Sequence, residues 1–259
     1  MPAADRITLA TIDGVRLSAL HYDSGHRDLA AVVAHGFTGS SGNPAVRRIV
    51  GNIVSSGMSV LSIDFRGHGR SGGFCTAGDL EIHDVAAAVA WLRGAGYARV
   101  AVLGWSMGGS AVLRHAGLGG DADAVVSVSS PGTWFERGTR SMRLVHWLCE
   151  TRSGRLACRV ARRTRLAHDG WQDVPKAPAE VVASIAPRPL LIVHGDGDHY
   201  FPMHHVEALA AAAPEAEVWI EPGMGHAETA TTAQLVARIV EWVRTVVVAS
   251  PVCDDGVRD

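Results

Sequence analysis

Arg99-Val100-Ala101-Val102-Leu103 runs directly into Gly104-Trp105-Ser106-Met107-Gly108. The apolar run reads as a buried strand. The pentapeptide reads as a sharp G-x-S-x-G turn opening a helix from Met107 to His115. Such a turn lifts a serine hydroxyl out of the sheet toward a base, which a hydroxyl needs before it can attack anything. Small residues at 104 and 108 let the backbone turn tightly and leave room for the helix that follows. In a chain this rich in glycine and serine the pentapeptide alone is a weak signal, so its surroundings decide.

The surroundings alternate strand and helix. Asp13-Gly14 between Arg6–Ile12 and Val15–Tyr22 predicts a two-residue hairpin. Leu29–Ala34 is a continuous apolar run, as in a strand buried on both faces. Asn43–Ser56 has helical spacing, Ser59–Asp64 reads as strand, Asp79–Arg93 as helix and Ala124–Val128 as strand. Further on, Leu190–Val193 and Glu217–Ile220 read as strands, with His204–Ala213 and Thr231–Val248 as helices. This order predicts a doubly wound, mostly parallel sheet of about eight strands with an antiparallel start, helices on both faces.

One stretch breaks the rhythm. Residues 132–186 contain two helix-like segments, Thr139–Glu150 and Arg155–Leu166, separated by Ser153-Gly154, and then an irregular proline-marked return. The expected organisation is a core of residues 1–131 and 187–249, a helical cap or lid at 132–186, and a flexible tail at 250–259.

Bulk properties narrow the class. At 259 residues, 47% hydrophobic and 19% charged, the chain has the make-up of a globular enzyme. A net charge of −2 argues against nucleic acid as partner. No apolar run reaches the length of a membrane span, no signal peptide is visible, and Cys75, Cys149, Cys158 and Cys253 show no paired spacing. Cytoplasm with free thiols is therefore the expected setting.

Acyl transfer needs a nucleophile, a base, an acid that orients the base, and donors for the oxyanion. Ser106 is the candidate nucleophile. Asp198, in His194-Gly195-Asp196-Gly197-Asp198 at the end of a strand, is the candidate acid. Asp196 competes, and Asp198 is preferred because it lies further into the loop. His226, in Pro222-Gly223-Met224-Gly225-His226, is the candidate base. The Met107 N–H follows the nucleophile and suits the oxyanion. A second N–H is expected from His35-Gly36-Phe37-Thr38-Gly39, Phe37 first and Thr38 second. Asp64-Phe65-Arg66-Gly67-His68-Gly69 reads as a structural turn tied down by Asp64, with His68 as an alternative base.

Together these stretches resemble the α/β-hydrolase superfamily, in particular serine esterases and lipases of the monoacylglycerol-lipase and cinnamoyl-esterase type. The 35–39 segment looks like that group's oxyanion loop, 64–69 like its signature turn, 104–109 like its elbow and 225–226 like its histidine loop. Trp105 departs from the pattern, where relatives often carry histidine. The resemblance implies an eight-stranded sheet, a helical cap, no cofactor, and hydrolysis of carboxylic esters through a Ser-Asp-His triad and an acyl-enzyme. Acyl-thioesterase, C–C hydrolase and acyltransferase activities remain open alternatives on the same scaffold.

Trp105, Trp134, Phe135 and Trp147 are candidates to line an acyl pocket with Phe37. From Glu136 to Arg165, nine arginines face two glutamates, a local charge of +7. Arg155, Arg159, Arg162 and Arg163 fall on one helical face. They form either a solvated surface or a basic lid for an anionic substrate, a carrier or an acidic lipid surface. A metal hydrolase built on His194, His199, His204, His205, Asp196 and Asp198 is the rival chemistry, without a recognised ligand motif. A non-catalytic binding protein is the other. The expected partner is a small ester or thioester, and oligomeric state is open.

Overall fold

Strand and helix alternate along the chain as the apolar runs predict. The computed structural model describes residues 3–249. In chain order the elements are β1 (Asp5–Ala10), β2 (Arg16–Tyr22), β3 (Leu29–Ala34), α1 (Pro44–Ser55), β4 (Ser59–Ile63), α2 (Glu81–Gly94), β5 (Arg99–Trp105), α3 (Met107–Gly117), β6 (Ala124–Val128), α4 (Arg140–Glu150), α5 (Arg152–Arg162), α6 (Pro178–Val181), β7 (Leu190–Gly195), α7 (His204–Ala212), β8 (Glu217–Glu221), α8 (Ala227–Ala230) and α9 (Ala233–Ala249). The tail expected at 250–259 lies outside the described residues.

The strands form one eight-stranded sheet in the order β1-β2-β4-β3-β5-β6-β7-β8. β2 pairs antiparallel with β1 and β4, and every other pairing is parallel. Each face buries its own apolar layer. On one face Val85, Val89 and Leu92 of α2 and Leu113 of α3 pack on Val32 and Val102. On the other, Ile49 and Ile53 of α1 and Ile239 and Val243 of α9 pack on Val33 and Leu103. Consecutive side chains of one strand therefore enter different layers.

The hairpin differs from expectation. Ala10 pairs with Arg16, and the Thr11 N–H donates to the Val15 carbonyl at 3.0 Å, so Ile12-Asp13-Gly14 form a three-residue loop. Gly14 sits at φ 81°, which suits a loop of this length. Asp13 is held in this loop by the Arg66 guanidinium at 2.7 Å and by the Thr11 hydroxyl, which donates to it at 2.6 Å.

The boundary between α4 and α5 also shifts. Thr151 closes α4 by donating to the Trp147 carbonyl at 2.8 Å and caps α5 by accepting from the Gly154 N–H at 2.9 Å. Ser153 and Gly154 thus lie inside the first turn of α5. Gly154 is a contact residue rather than a breaker, because a Cβ there would run into the Trp147 carbonyl. Among the described residues no helix is long and apolar enough to cross a membrane.

Candidate active site

The parallel strands β3, β5 and β7 end on one rim, where open α/β sheets bind ligands. Ala34 is in register with Gly104, so the loop after β3 lies against the elbow after β5. That approach depends on glycine. A Cβ on Gly108 would strike the Ala34 carbonyl, and one on Gly104 would strike the carbonyl of Gly108. Ser106 occupies φ 53°, ψ −118°, a sparsely populated conformation that holds its side chain up at the start of α3.

Three side chains remote in sequence meet there. The Ser106 hydroxyl lies 3.0 Å from His226 Nε2, and His226 Nδ1 lies 2.8 Å from Asp198 Oδ2. An ionised Asp198 only accepts, so Nδ1 carries the ring proton and Nε2 is free to accept from Ser106. Asp198 Oδ1 accepts from the N–H groups of Tyr200 (2.8 Å) and Phe201 (3.1 Å). Burial pushes the Asp198 carboxyl up, but the His226 ring and those two N–H groups outweigh it and hold it below the ordinary carboxylate value. The imidazole is stacked on Tyr200, centroids 4.2 Å apart, with Phe201 edge-on at 5.5 Å. Asp196 faces elsewhere and accepts from the Gly223 N–H at 2.6 Å.

The loop after β3 is fixed from below by two histidines. His35 Nδ1 donates to the Gly36 carbonyl (2.8 Å), and its Nε2 accepts from the Phe65 N–H (3.2 Å). His68 Nδ1 donates to the Arg66 carbonyl (2.9 Å), and its Nε2 accepts from the Thr38 N–H (3.2 Å). Burial keeps both rings neutral, pushing His68 down to about 3. His68 is thereby a brace for the loop, and Thr38 has committed its N–H. The Met107 N–H opens α3 and has no carbonyl of its own helix to bond. Asp64 ties down the 64–70 turn through the N–H groups of Ser41 (2.7 Å) and Arg70 (3.0 Å).

A cavity of about 580 Å³ opens over Ser106 and His226, between the rim and the pair α4–α5. Phe37, Met107, Trp134 and Phe135 line it, as do Val145 and Leu148 of α4. Two of the expected pocket residues do not. Trp105 is fully buried on the opposite face of the sheet, in the layer with α1 and α9, because it is one step out of phase with the elbow. Its indole N–H donates to Thr231 at 3.0 Å and so anchors the segment that follows His226. Trp147 turns away from the cavity on the outer side of α4 and is 42% exposed. In their place the cavity holds Trp171, whose ring lies 5.2 Å from Trp134 and 5.8 Å from Phe135 and whose N–H donates to the Thr76 carbonyl. It also holds Glu228, which accepts from the Gly36 N–H at 2.6 Å. Neither had a periodic or motif signal in the sequence.

The histidine-rich stretch does not gather into the cluster that the rival metal reading requires. His194 is buried against the Phe201 carbonyl. A different trio, Glu136, His204 and His205, has its ligand atoms within 4.8 Å of one another. His205 Nδ1 accepts from the Gly132 N–H, so Nε2 carries a proton and faces Glu136 at 3.3 Å. Glu136 Oε2 thus meets both rings, His205 through that hydrogen bond and His204 Nε2 at 3.0 Å.

A family model described as serine aminopeptidase, S33, matches residues 25–182. The chain belongs to this family of α/β hydrolases. Among curated relatives, the hydrolase is 29% identical over 239 residues to the uncharacterized protein Rv2307c of Mycobacterium tuberculosis, covering 87% of this chain and 73% of the relative. It is 26% identical over 224 residues to YfhR of Escherichia coli K12, with 82% and 69% covered. The esterase Pf2001 of Pyrococcus furiosus superposes with a TM-score of 0.74 at 26% identity, over 94% of this chain and 90% of that one. Est1E of Butyrivibrio proteoclasticus, solved with ferulic acid, shares the fold with a TM-score of 0.63 at 20% identity, over 93% and 99% of the two chains.

Proposed function

We propose that the hydrolase cleaves carboxylic esters through a covalent acyl-enzyme on Ser106. The observation that carries this reading is the chain of contacts from Ser106 Oγ through His226 to Asp198, at 3.0 and 2.8 Å. His226 takes the Ser106 proton as the oxygen attacks the acyl carbonyl. Asp198 holds the imidazole in the required tautomer and stabilises the imidazolium. The N–H groups of Met107 and Phe37 receive the oxyanion. The leaving group departs with the proton from His226, and water activated by the same ring releases the acid. The α4–α5 segment is read as a cap over the acyl pocket, with Trp134, Phe135 and Trp171 against the acyl chain. Support at the level of relatives comes from the esterase Pf2001.

The test is Ser106→Ala against p-nitrophenyl butyrate, with a fluorophosphonate probe as a second readout. Turnover should fall at least about 10⁴-fold, and labelling should vanish while the circular dichroism spectrum is unchanged. Wild-type turnover by the variant would refute the mechanism.

A second reading is favoured by Glu228. Its carboxylate lies beside Gly36 in the cavity, where it could hold the ammonium of an aminoacyl substrate, the chemistry the family's name carries. Aminoacyl p-nitroanilides compared with simple esters separate the two. A kcat/KM for the anilides above that for the esters, lost in Glu228→Gln, selects peptide-bond cleavage.

A further inference from the structure

A second hollow adjoins the first. It measures about 520 Å³ and is lined by Arg152, Arg155, Arg159 and Arg165, with Leu156 and Phe74 as its apolar part. It shares Arg155, Leu166, His168 and Asp169 with the cavity over Ser106, so the two spaces are neighbours beside α5. Four guanidinium groups meet one carboxylate, Asp169, which leaves the groove with a charge near +3 when His168 is neutral. Arg165 is fixed by the carbonyls of Ser71 and Gly73, and Arg155 by that of Cys149, so both present a charge in a set position. The side chains of Arg152 and Arg159 are exposed and have no hydrogen-bond or ion-pair partner among the described residues. Arg163, grouped with them on the sequence pattern, lines neither space.

We propose that this groove binds the phosphate-bearing arm of an acyl thioester of the coenzyme A class, with the thioester carbonyl at Ser106. The inference rests on the reading of Ser106 as nucleophile. Guanidinium forks suit phosphate oxygens, and several together suit a multiply charged anion better than a single carboxylate. Phe74 (49% exposed) and Leu156 (62% exposed) offer apolar surface to the carbon skeleton of such an arm. In the reaction the Ser106 oxygen bonds to the acyl carbon and the C–S bond breaks. The thiolate takes the proton held by His226. Water then cleaves the acyl-enzyme, giving a carboxylic acid, a free thiol and the original serine.

The experiment compares butyryl-coenzyme A with S-butyryl-N-acetylcysteamine, which keeps the thioester and the adjacent amide but lacks the phosphates. The kcat/KM ratio between them should be at least about tenfold at low salt and shrink several-fold at 0.5 M salt, where screening is short-ranged. The double variant Arg152→Gln/Arg159→Gln, both changes on exposed side chains, should lower that ratio about tenfold through KM rather than kcat. A ratio near one, unmoved by salt and by the double variant, overturns the proposal. So does arginine-dependent binding to phosphatidylglycerol vesicles accompanied by a ratio near one, which assigns the groove to a lipid surface. Hydrolysis of p-nitrophenyl butyrate separates the two layers of inference. If Ser106→Ala abolishes it while the ratio is near one, only the groove assignment fails. If Ser106→Ala leaves it intact, the nucleophile reading fails first.

Discussion

At the rim where β3, β5 and β7 end, polar side chains are held from several directions, whereas α4 and α5 leave large apolar side chains exposed. His35, His68, Asp64, Asp198 and Glu228 each accept from backbone N–H groups of the loops they brace. Leu144, Trp147 and Val160 on the helix pair are exposed, and α4 has no fully buried residue. The difference has a physical meaning. Charge developing in a transition state is stabilised by dipoles fixed beforehand, so a rim must be rigid. A surface that covers a pocket and admits ligands is drawn from the less stable part of a fold.

The largest expected effect tests the rigid half. Asp198→Asn preserves shape but offers an N–H where His226 needs an acceptor, favouring the wrong tautomer. We expect kcat for p-nitrophenyl butyrate to drop by about 10⁴-fold, with a melting temperature within a few degrees of wild type. Asp196→Asn, whose partner is only the Gly223 N–H, should change kcat less than about threefold. Equal effects at the two positions would erase the distinction between them.

Next in size is the support beneath the rim. Arg66 is buried and clamped by Asp84 at 2.8 Å, with Asp13 on its other side at 2.7 Å. Asp84 also accepts from the Arg66 N–H, which fixes the start of the 66–73 turn. Asp84→Ala leaves the buried Arg66 with only the half-buried Asp13 as counter-ion, removes the acceptor of its backbone N–H, and should cost about 2–3 kcal/mol in urea unfolding. A loss under about 1 kcal/mol would show that the turn is held by its glycines alone.

A pH dependence follows from the neutral histidines. His68 lies at about 3 in the fold against an ordinary value of 6.5, so the unfolded chain takes up the proton first. Its contribution to stability is complete above pH 6.5 and falls as the pH drops toward 3, by about 1.4 kcal/mol per pH unit. His68→Asn removes this titration. Between pH 7 and pH 5 the wild type should lose up to about 2 kcal/mol more than the variant by denaturant unfolding. Parallel losses would mean that His68 keeps access to protons and does not brace Thr38.

The same division governs what the sequence reveals. β3, β5, β6 and β7 are buried on both faces and announce themselves as apolar runs, and the loops after them carry Ser106 and Asp198. A strand buried on both faces does not say which layer a given side chain enters, and Trp105, expected in the pocket, lies in the opposite layer for that reason. Trp147 illustrates the matching problem on a helix, where spacing defines a face but the packing of α4 decides where it points. Trp171 lies in an irregular stretch with no period to read. The Arg66–Asp84 clamp joins a turn to a helix 18 residues on, and no motif links them. Glycine gives a partial exception, since Gly108 and Gly154 both mark close backbone approaches but only the first stands in a recognisable pattern.

The smallest expected effect compares two residues forced to positive φ. Ser106 at 53° sits in the rim, and Arg163 at 54° closes α5. Both conformations cost an ordinary residue on the order of 1 kcal/mol. At Ser106 the conformation aims the hydroxyl at His226, so relief of the strain cannot be separated from loss of the proposed nucleophile. At Arg163 it only ends a helix, a task for which glycine is suited. Arg163→Gly should therefore raise stability by about 0.5–1 kcal/mol and leave kcat/KM for p-nitrophenyl butyrate within about twofold, since the side chain lines neither hollow. A loss of stability would show that the guanidinium is held in solution. A loss of activity would show that the end of α5 governs the pocket and that the helix pair belongs to the rigid machinery of the rim.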